Sequence, residues 1–191
     1  MNDQYYTADP RSASRPREFT LERGGKRLVF VTDAGVFSKG ELDQGTRILL
    51  DALPPLSGSV LDLGCGWGAV GVILASGDPA LRVTMADVNR RALALAEENA
   101  RRNGVGSQCT AVESDGFSAL GDRCFDAVVT NPPIRHPDQH FSETPAFMSD
   151  GALGWSGFAG NHLAVDPERG VFEFYLGSRV MNRLSVLIPR E

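Results

Sequence analysis

The chain has 191 residues, 42% of them hydrophobic and 23% charged, with a formal net charge of -5. That length holds one domain, or one domain with an appendage, and the composition excludes the disordered and fibrous classes. The negative charge gives no electrostatic argument for a broad, non-specific nucleic-acid binder, although a local basic patch can still grip a nucleic acid.

Residues 1–20 are rich in Pro, Ser and Arg, and Phe19 to Val31 alternates about Gly24-Gly25 as a hairpin does. This stretch reads as a small N-terminal cap. Between Gly40 and Leu53 the apolar Leu42, Ile48, Leu49 and Leu53 fall at helical spacing, until Pro54-Pro55 stops the pattern. Ser59 to Leu63 is a short, nearly continuous apolar strand suited to the centre of a parallel sheet, and a helix follows from Trp67 to Ser76. Leu81 to Ala86 is a second strand, ending on Asp87. Arg90 to Arg102 is then a helix of good formers, capped by Asn89 and ended by Gly104. Gln108 to Val112 and Phe125 to Thr130 are the third and fourth strands, the fourth running into Asn131-Pro132-Pro133. Strands alternating with helices at this spacing predict an α/β fold built on a Rossmann-like, doubly wound, mostly parallel sheet.

The N-terminus is polar and lacks a secretory pattern, and no apolar run is long enough to span a membrane, so a cytoplasmic location is expected. Cys65, Cys109 and Cys124 match neither a disulfide framework nor a metal spacing and read as free thiols. His136, His140 and His162 have no carboxylate or thiol partners at ligand spacing, so no metal is expected.

Open parallel sheets bind ligands beyond the carboxyl ends of their strands, which makes the residues after each strand the ones to read. Gly64, Gly66 and Gly68 follow the first strand, where they let the backbone turn tightly and approach a ligand at a helix N-terminus. With Ala69 they also fit Gly-x-Gly-x-x-Ala, so a nicotinamide or flavin dinucleotide remains open at this point. Asp87 closes the second strand, where a carboxylate accepts two hydrogen bonds from a ribose diol. Asp115-Gly116 lies just past the third, where an acidic group can accept from an adenine amine; the bland alternative is a turn.

Asn131-Pro132-Pro133-Ile134 discriminates. An exocyclic base amine, or a side-chain amide, has its lone pair delocalised and is a poor nucleophile. If the Asn131 side-chain carbonyl and the Pro132 backbone carbonyl accept its two hydrogens, that lone pair can be aimed at a methyl donor. Two prolines stiffen the turn, since each fixes φ and removes a donor. Hydride transfer has no use for such a device, whereas a proline-stiffened loop with a capping Asn is the bland alternative.

These residues resemble a known family, the small-domain class I methyltransferases related to the ribosomal RNA small-subunit guanine-N2 methyltransferases. The resemblance rests on Tyr5-Tyr6-Thr7, Thr32 to Ser38, Leu42 to Thr46, Leu61 to Gly68, Ala86 to Asn89 and Asn131 to Arg135, and spans roughly residues 1 to 135. It implies S-adenosyl-L-methionine as cofactor, with Asp62, Gly64 and Gly66 at its methionine end, Asp87 at the ribose and Asp115 at the adenine. Cys65, Val88, Gly116 and Asn131 complete the implied cofactor contacts. It further implies that Asn131, Pro132 and Pro133 orient the target nitrogen, and that Phe37, Lys39, Ile134 and Arg135 meet the substrate. Many relatives carry an aromatic residue in the place of Ile134, where it can stack on a flipped base; Ile134 cannot. Arg15, Arg17, Lys39 and Arg135 are candidate phosphate contacts.

From His136 onward the text departs from that family. Gly151 to Gly160, Leu163 to Glu168 and Val171 to Val180 resemble the C-terminal hairpin of β-lactamase-type serine hydrolases, with Trp155 where those enzymes carry His or Lys. No Ser in the chain stands three residues before a Lys, so acylation by that route is excluded. The tail is therefore expected to contribute strands, Leu163 to Val165 and Val171 to Leu176, to an atypical or incomplete end of the sheet. The expected division is a cap and lead-in helix over 1–58, a cofactor-binding core over 59–135, and an atypical segment, a β-hairpin, over 136–191. The expected function is N-methylation of an exocyclic guanine amine in ribosomal RNA or the small ribosomal subunit. The alternative is a recombinant remnant that keeps only the cofactor-binding core.

Overall fold

The computed structural model describes residues 8–36 and 40–131, and the backbone of four further strands within 153–187. Strands β1 (Arg17–Arg23) and β2 (Lys26–Thr32) form an antiparallel hairpin in which Arg23 pairs with Lys26. The two turn residues, Gly24 and Gly25, have φ of 56° and 72°, the left-handed pair that a tight hairpin turn requires.

Helix α1 (Gln44–Ala52) begins four residues later than helical spacing predicts from Gly40, because Asp43 caps it: the Asp43 Oδ1 accepts the Thr46 N–H at 3.0 Å. Strand β3 (Ser59–Leu63) matches its predicted range, and helix α2 (Ala69–Gly77) starts beyond Trp67 because Gly68 holds φ 83° at its N-cap. Strand β4 (Arg82–Asp87), helix α3 (Arg90–Arg102), strand β5 (Cys109–Glu113) and strand β6 (Ala127–Thr130) follow in the predicted alternation. Helix α3 is capped as its sequence suggests, with Asn89 Oδ1 accepting from Ala92 N.

The four strands lie parallel in the order β5-β4-β3-β6. From β3 the chain steps outward through α2 and α3, then returns to the far side of β3, which puts a topological switch point between β3 and β6. Val60, Val83 and Val129 pack into the larger core with residues of α1, α2 and α3. Leu61, Ala86 and Val128 face the opposite side, where Leu120 and Phe125 of the β5-to-β6 crossover cover them. The sheet is thus wound on both faces, with turns instead of a helix on the second, and is the Rossmann-like architecture of the class I methyltransferases.

Beyond β6, the structure corrects the expected hairpin of two strands. Four strands, β7 (Leu153–Ser156), β8 (His162–Asp166), β9 (Val171–Leu176) and β10 (Asn182–Leu187), form an antiparallel meander. It is β10, and neither expected strand, that covers the edge of the parallel sheet, by pairing antiparallel with β6. An edge strand presents a row of unpaired backbone groups, and β10 closes it.

The hairpin is fastened to the core by a side-chain ladder. Asn99 accepts from Val31 N at 2.7 Å and donates to the carbonyls of Val31 at 3.0 Å and Trp67 at 2.8 Å. One turn on, Asn103 does the same with Val29 N and O, at 2.9 and 2.8 Å. Four helical residues rise about 6 Å and two strand residues about 6.7 Å, so the two amides match alternate residues of β2. Phe19 and Phe30 then enclose Trp67, edge-on, at 5.5 and 5.1 Å between ring centroids. Asn99 is fully buried, so Asn99→Leu strands three backbone groups and is expected to cost about 3 kcal/mol. Urea unfolding of the variant checks this, with Asn103→Leu expected to cost less because water reaches its site.

Candidate active site

Parallel register sets the ends of the core strands in a row: Leu63 pairs with Ala86 and with Thr130, and Asp87 with Glu113. Gly64, Asp87, Ser114 and Asn131 consequently lie along one sheet edge, at the switch point. The structure brings together the predicted Asp62, Gly64, Cys65, Gly66, Asp87, Val88 and Asn131, with Asp115 and Gly116 just past β5. Phe37, Lys39, Pro132, Pro133, Ile134 and Arg135 lie outside the described residues.

The three glycines do two different jobs. Gly64 and Gly66 hold φ of 72° and 55°, and a Cβ on either would project into open space, so the loop forms a bare concave surface. Gly68 is a packing residue: a Cβ there would lie 2.8 Å from the Ala96 Cβ, between α3 and the start of α2.

Backbone donors of the loop face inward. Gly64 N and Cys65 N both donate to the Ala86 carbonyl, at 2.8 and 3.0 Å, and Gly66 N donates to Asp87 Oδ2 at 2.8 Å. In the first turn of α2, Gly71 N donates to Asp62 Oδ2 at 2.9 Å. A pyrophosphate needs such N–H groups free at a helix N-terminus. Those of Gly64, Cys65, Gly66 and Gly71 are engaged, and two carboxylates stand beside them, so the loop suits a cationic ligand better than a pyrophosphate.

Those carboxylates carry the electrostatics. Burial raises the Asp62 carboxyl from 3.8 to about 7; the Gly71 N–H pulls it down and the Asp87 charge pushes it further up. Asp87 is raised too, mainly by burial, against hydrogen bonds from the Asn89, Gly66 and Val88 backbone. Its Oδ1 accepts from Asn89 N at 2.9 Å, which leaves lone pairs on both oxygens for a ligand hydroxyl. The Cys65 side chain belongs to the hydrophobic core, and burial pushes its thiol far up, which keeps it protonated and disfavours it as a nucleophile. Asp115 is exposed, and the turn that holds it is built by buried Ser114, whose Oγ donates to the Gly116 carbonyl at 2.8 Å and accepts from Ala119 N at 3.0 Å. The sequence pattern gives no signal for Ser114.

Segment 8–15 packs against the start of α3. Arg90 N donates to the Ala8 carbonyl, and Arg91 reaches the carbonyls of Ser12 and Ala34 at 2.9 and 2.7 Å. Buried Asn89 donates to the Gly35 carbonyl at 3.0 Å, which ties the turn after β2 to the end of β4. Arg15 and Arg17, the candidate phosphate contacts, are exposed.

Asn131 sits at the end of β6, half-buried, and its Nδ2 donates to Thr46 Oγ1 at 2.9 Å. Its carbonyl oxygen is thereby the end of the amide left to accept from elsewhere. Thr46 and Asp43 are visible in sequence only as part of a family-like run, with no role attached.

A parallel sheet with this switch point, a bare glycine loop lined by carboxylates and an oriented Asn beyond the neighbouring strand define a class I methyltransferase core. More specifically, the chain belongs to the methyltransferase small domain family, whose model matches residues 27–152. It is 39% identical over 138 residues to the uncharacterized protein YbxB of Bacillus subtilis, covering 71% of this chain and 68% of that one. It is also 39% identical over 118 residues to the ribosomal RNA small subunit methyltransferase C of Vibrio vulnificus, covering 62% of this chain and 34% of that one. Among solved structures, the T. thermophilus 16S rRNA N2 G1207 methyltransferase, in complex with AdoMet and guanosine, matches with a TM-score of 0.57 at 30% identity, over 63% of this chain and 33% of that one. The chain thus spans about a third of the length of these two ribosomal RNA methyltransferases.

S-adenosylmethionine is the cofactor of this class, and the residues present fit it. The bare surface at Gly64 and Gly66 gives room for close approach, and the raised carboxyls of Asp62 and Asp87 are relieved by a ligand carrying a sulfonium and an ammonium. Among the described residues no group of His, Cys, Asp or Glu is arranged to hold a metal ion, and no helix is long and apolar enough to cross a membrane.

Proposed function

We propose that this chain methylates an exocyclic guanine amine of ribosomal RNA, taking the methyl group from S-adenosylmethionine, on free RNA or the small ribosomal subunit in the cytoplasm. The observation that carries the reading is the placement of Asn131: one strand away from the glycine loop, with Nδ2 held by Thr46 and, among the described residues, no donor on Oδ1. The relatives' names, which specify ribosomal RNA and a guanine N2, support the choice of substrate.

In this reading Asp62, Gly64, Gly66 and the backbone of Cys65 hold the methionine end, Asp87 and Val88 the ribose, and Asp115-Gly116 the adenine. Bound there, S-adenosylmethionine supplies an electrophilic methyl group. Asn131 Oδ1 and the Pro132 carbonyl accept hydrogen bonds from the two hydrogens of the target amine and turn its lone pair toward that methyl. As the N–C bond forms the sulfonium S–C bond breaks, S-adenosylhomocysteine is left, and the surplus proton of the amine passes to solvent. Holding two reactants in line contributes on the order of 7–11 kcal/mol in well-oriented systems, so orientation accounts for most of the rate. Phe37, Lys39, Ile134 and Arg135 bind the substrate, and Arg15 and Arg17 contact phosphates. Residues 1–58 act as cap and lead-in helix, 59–135 as the cofactor core, and 136–191 as the segment that completes the sheet.

The test is transfer of labelled methyl from S-adenosylmethionine to small ribosomal subunits lacking guanine N2 methylation, followed by nucleoside analysis. Appearance of N2-methylguanosine is the expected result. Label on another atom overturns the substrate assignment, and a folded sample that gives no heat of binding with S-adenosylmethionine overturns the enzyme reading in favour of a remnant core.

A further inference from the structure

The link between α1 and Asn131 has a direction, set by Asp43. The Asp43 Oδ1 accepts the Thr46 backbone N–H at 3.0 Å, and its Oδ2 lies 2.6 Å from Thr46 Oγ1. A carboxylate accepts only, so the single hydroxyl hydrogen of Thr46 is committed to Asp43. What Thr46 Oγ1 has left is lone pairs, and its other neighbour is Asn131 Nδ2, at 2.9 Å. An amide can present either an NH2 or a carbonyl, and only the NH2 satisfies a hydroxyl whose hydrogen is already used. Thr46 is buried, so water does not readily substitute for either partner.

We infer that Asp43, acting through Thr46, is a positioning residue that fixes which end of the Asn131 amide faces the target nitrogen. The inference rests on the proposed role of Asn131 as the acceptor of the target amine. With the relay intact, Oδ1 faces the amine and accepts its hydrogen. With the amide turned over, an NH2 would meet an NH2, two donors without an acceptor.

Asp43→Asn reverses the relay without removing the helix cap. The oxygen of the substituted side chain must still take the Thr46 N–H, because an NH2 in that place would set donor against donor. The new NH2 group then falls where Oδ2 was and donates to Thr46 Oγ1. The hydroxyl hydrogen is released toward Asn131, and the Asn131 carbonyl is drawn to it and away from the substrate. Asn caps helices as well as Asp does, so the fold is unaffected by design.

The experiment compares wild type, Asp43→Asn, Thr46→Val and Thr46→Ser in steady-state methyl transfer, S-adenosylhomocysteine binding and thermal unfolding. It adds the 15N–1H resonances of the Asn131 carboxamide, identified by their loss in Asn131→Ala. Asp43→Asn and Thr46→Val are expected to lower kcat by roughly ten-fold or more, while KM and S-adenosylhomocysteine affinity stay within about two-fold. Thr46→Ser, which keeps the hydroxyl, is expected to retain kcat within about three-fold, and the unfolding temperature of Asp43→Asn to match wild type. The Asn131 resonances should move in Asp43→Asn and stay in Thr46→Ser. A kcat for Asp43→Asn within two-fold of wild type overturns the inference. Should wild type methylate no amine, the proposed function falls, and the resonances decide the relay by themselves: unmoved in Asp43→Asn, they overturn it.

Discussion

Asn131→Ala is expected to lower kcat for methyl transfer by two to three orders of magnitude, with less than a ten-fold change in S-adenosylhomocysteine affinity. Removing one pre-aimed hydrogen-bonding group from a water-excluded site costs about 2.7–4 kcal/mol of transition-state stabilisation, which is a factor of about 10² to 10³. A target amine whose lone pair is delocalised depends on this group more than a good nucleophile would. The same variant leaves a lone pair of buried Thr46 without its donor, at a cost of about 1 kcal/mol in stability. Single-turnover kinetics at saturating cofactor separate the two effects, since the stability loss lowers the folded fraction and not the rate per folded molecule. A kcat within three-fold of wild type would remove Asn131 from the mechanism.

The elements that sequence locates best are those whose ends are marked by local chemistry. Helix α3 begins at Asn89, whose side chain accepts from the backbone three residues on, and β3 is a run of apolar residues flanked by Gly58 and Gly64, both at positive φ. Spacing alone misplaces the start of α1 because Leu42 fits a helical period, while the cap that decides the boundary is Asp43. In the tail, a borrowed hairpin pattern draws attention to two strands, while β10 reads Asn-Arg-Leu-Ser-Val-Leu and is recognised as a strand by its pairing with β6.

For the site, the positions after each strand are legible because a parallel sheet sets its carboxyl ends in a row. Relations between side chains far apart in the chain are not. Nothing local to Asn99 announces that it completes the edge of β2, and nothing near Thr46 announces Asn131; both depend on how a helix lands on the sheet. Nor can the sequence separate the glycines, since Gly66 and Gly68 differ only in what surrounds them: open space at the first, Ala96 at the second.

Asp62→Asn is expected to stabilise the free protein above pH 7 and to weaken S-adenosylmethionine binding ten-fold or more. In the folded chain the Asp62 carboxyl titrates near 7, against 3.8 for an unburied one. Between those values the folded state binds the extra proton, so stability falls as pH rises from about 4 through 7. Below pH 4 the carboxyl is neutral whether folded or not, and the variant should match wild type. Above pH 7 wild type holds a buried charge that the variant lacks, which makes the variant more stable by on the order of 2–4 kcal/mol. Urea unfolding at pH 4, 6 and 8 should show the gap opening with pH; a constant gap would mean that Asp62 does not titrate in this window. In wild type, a cationic ligand favours the ionised carboxyl, so binding near pH 6.5 should release a proton, read as a heat that depends on the ionisation enthalpy of the buffer. Asp62→Asn should abolish that dependence on buffer. A buried acid that destabilises the free chain is retained where its charge meets a ligand, and loss of both effects in one variant would assign Asp62 to the cofactor and not to the fold.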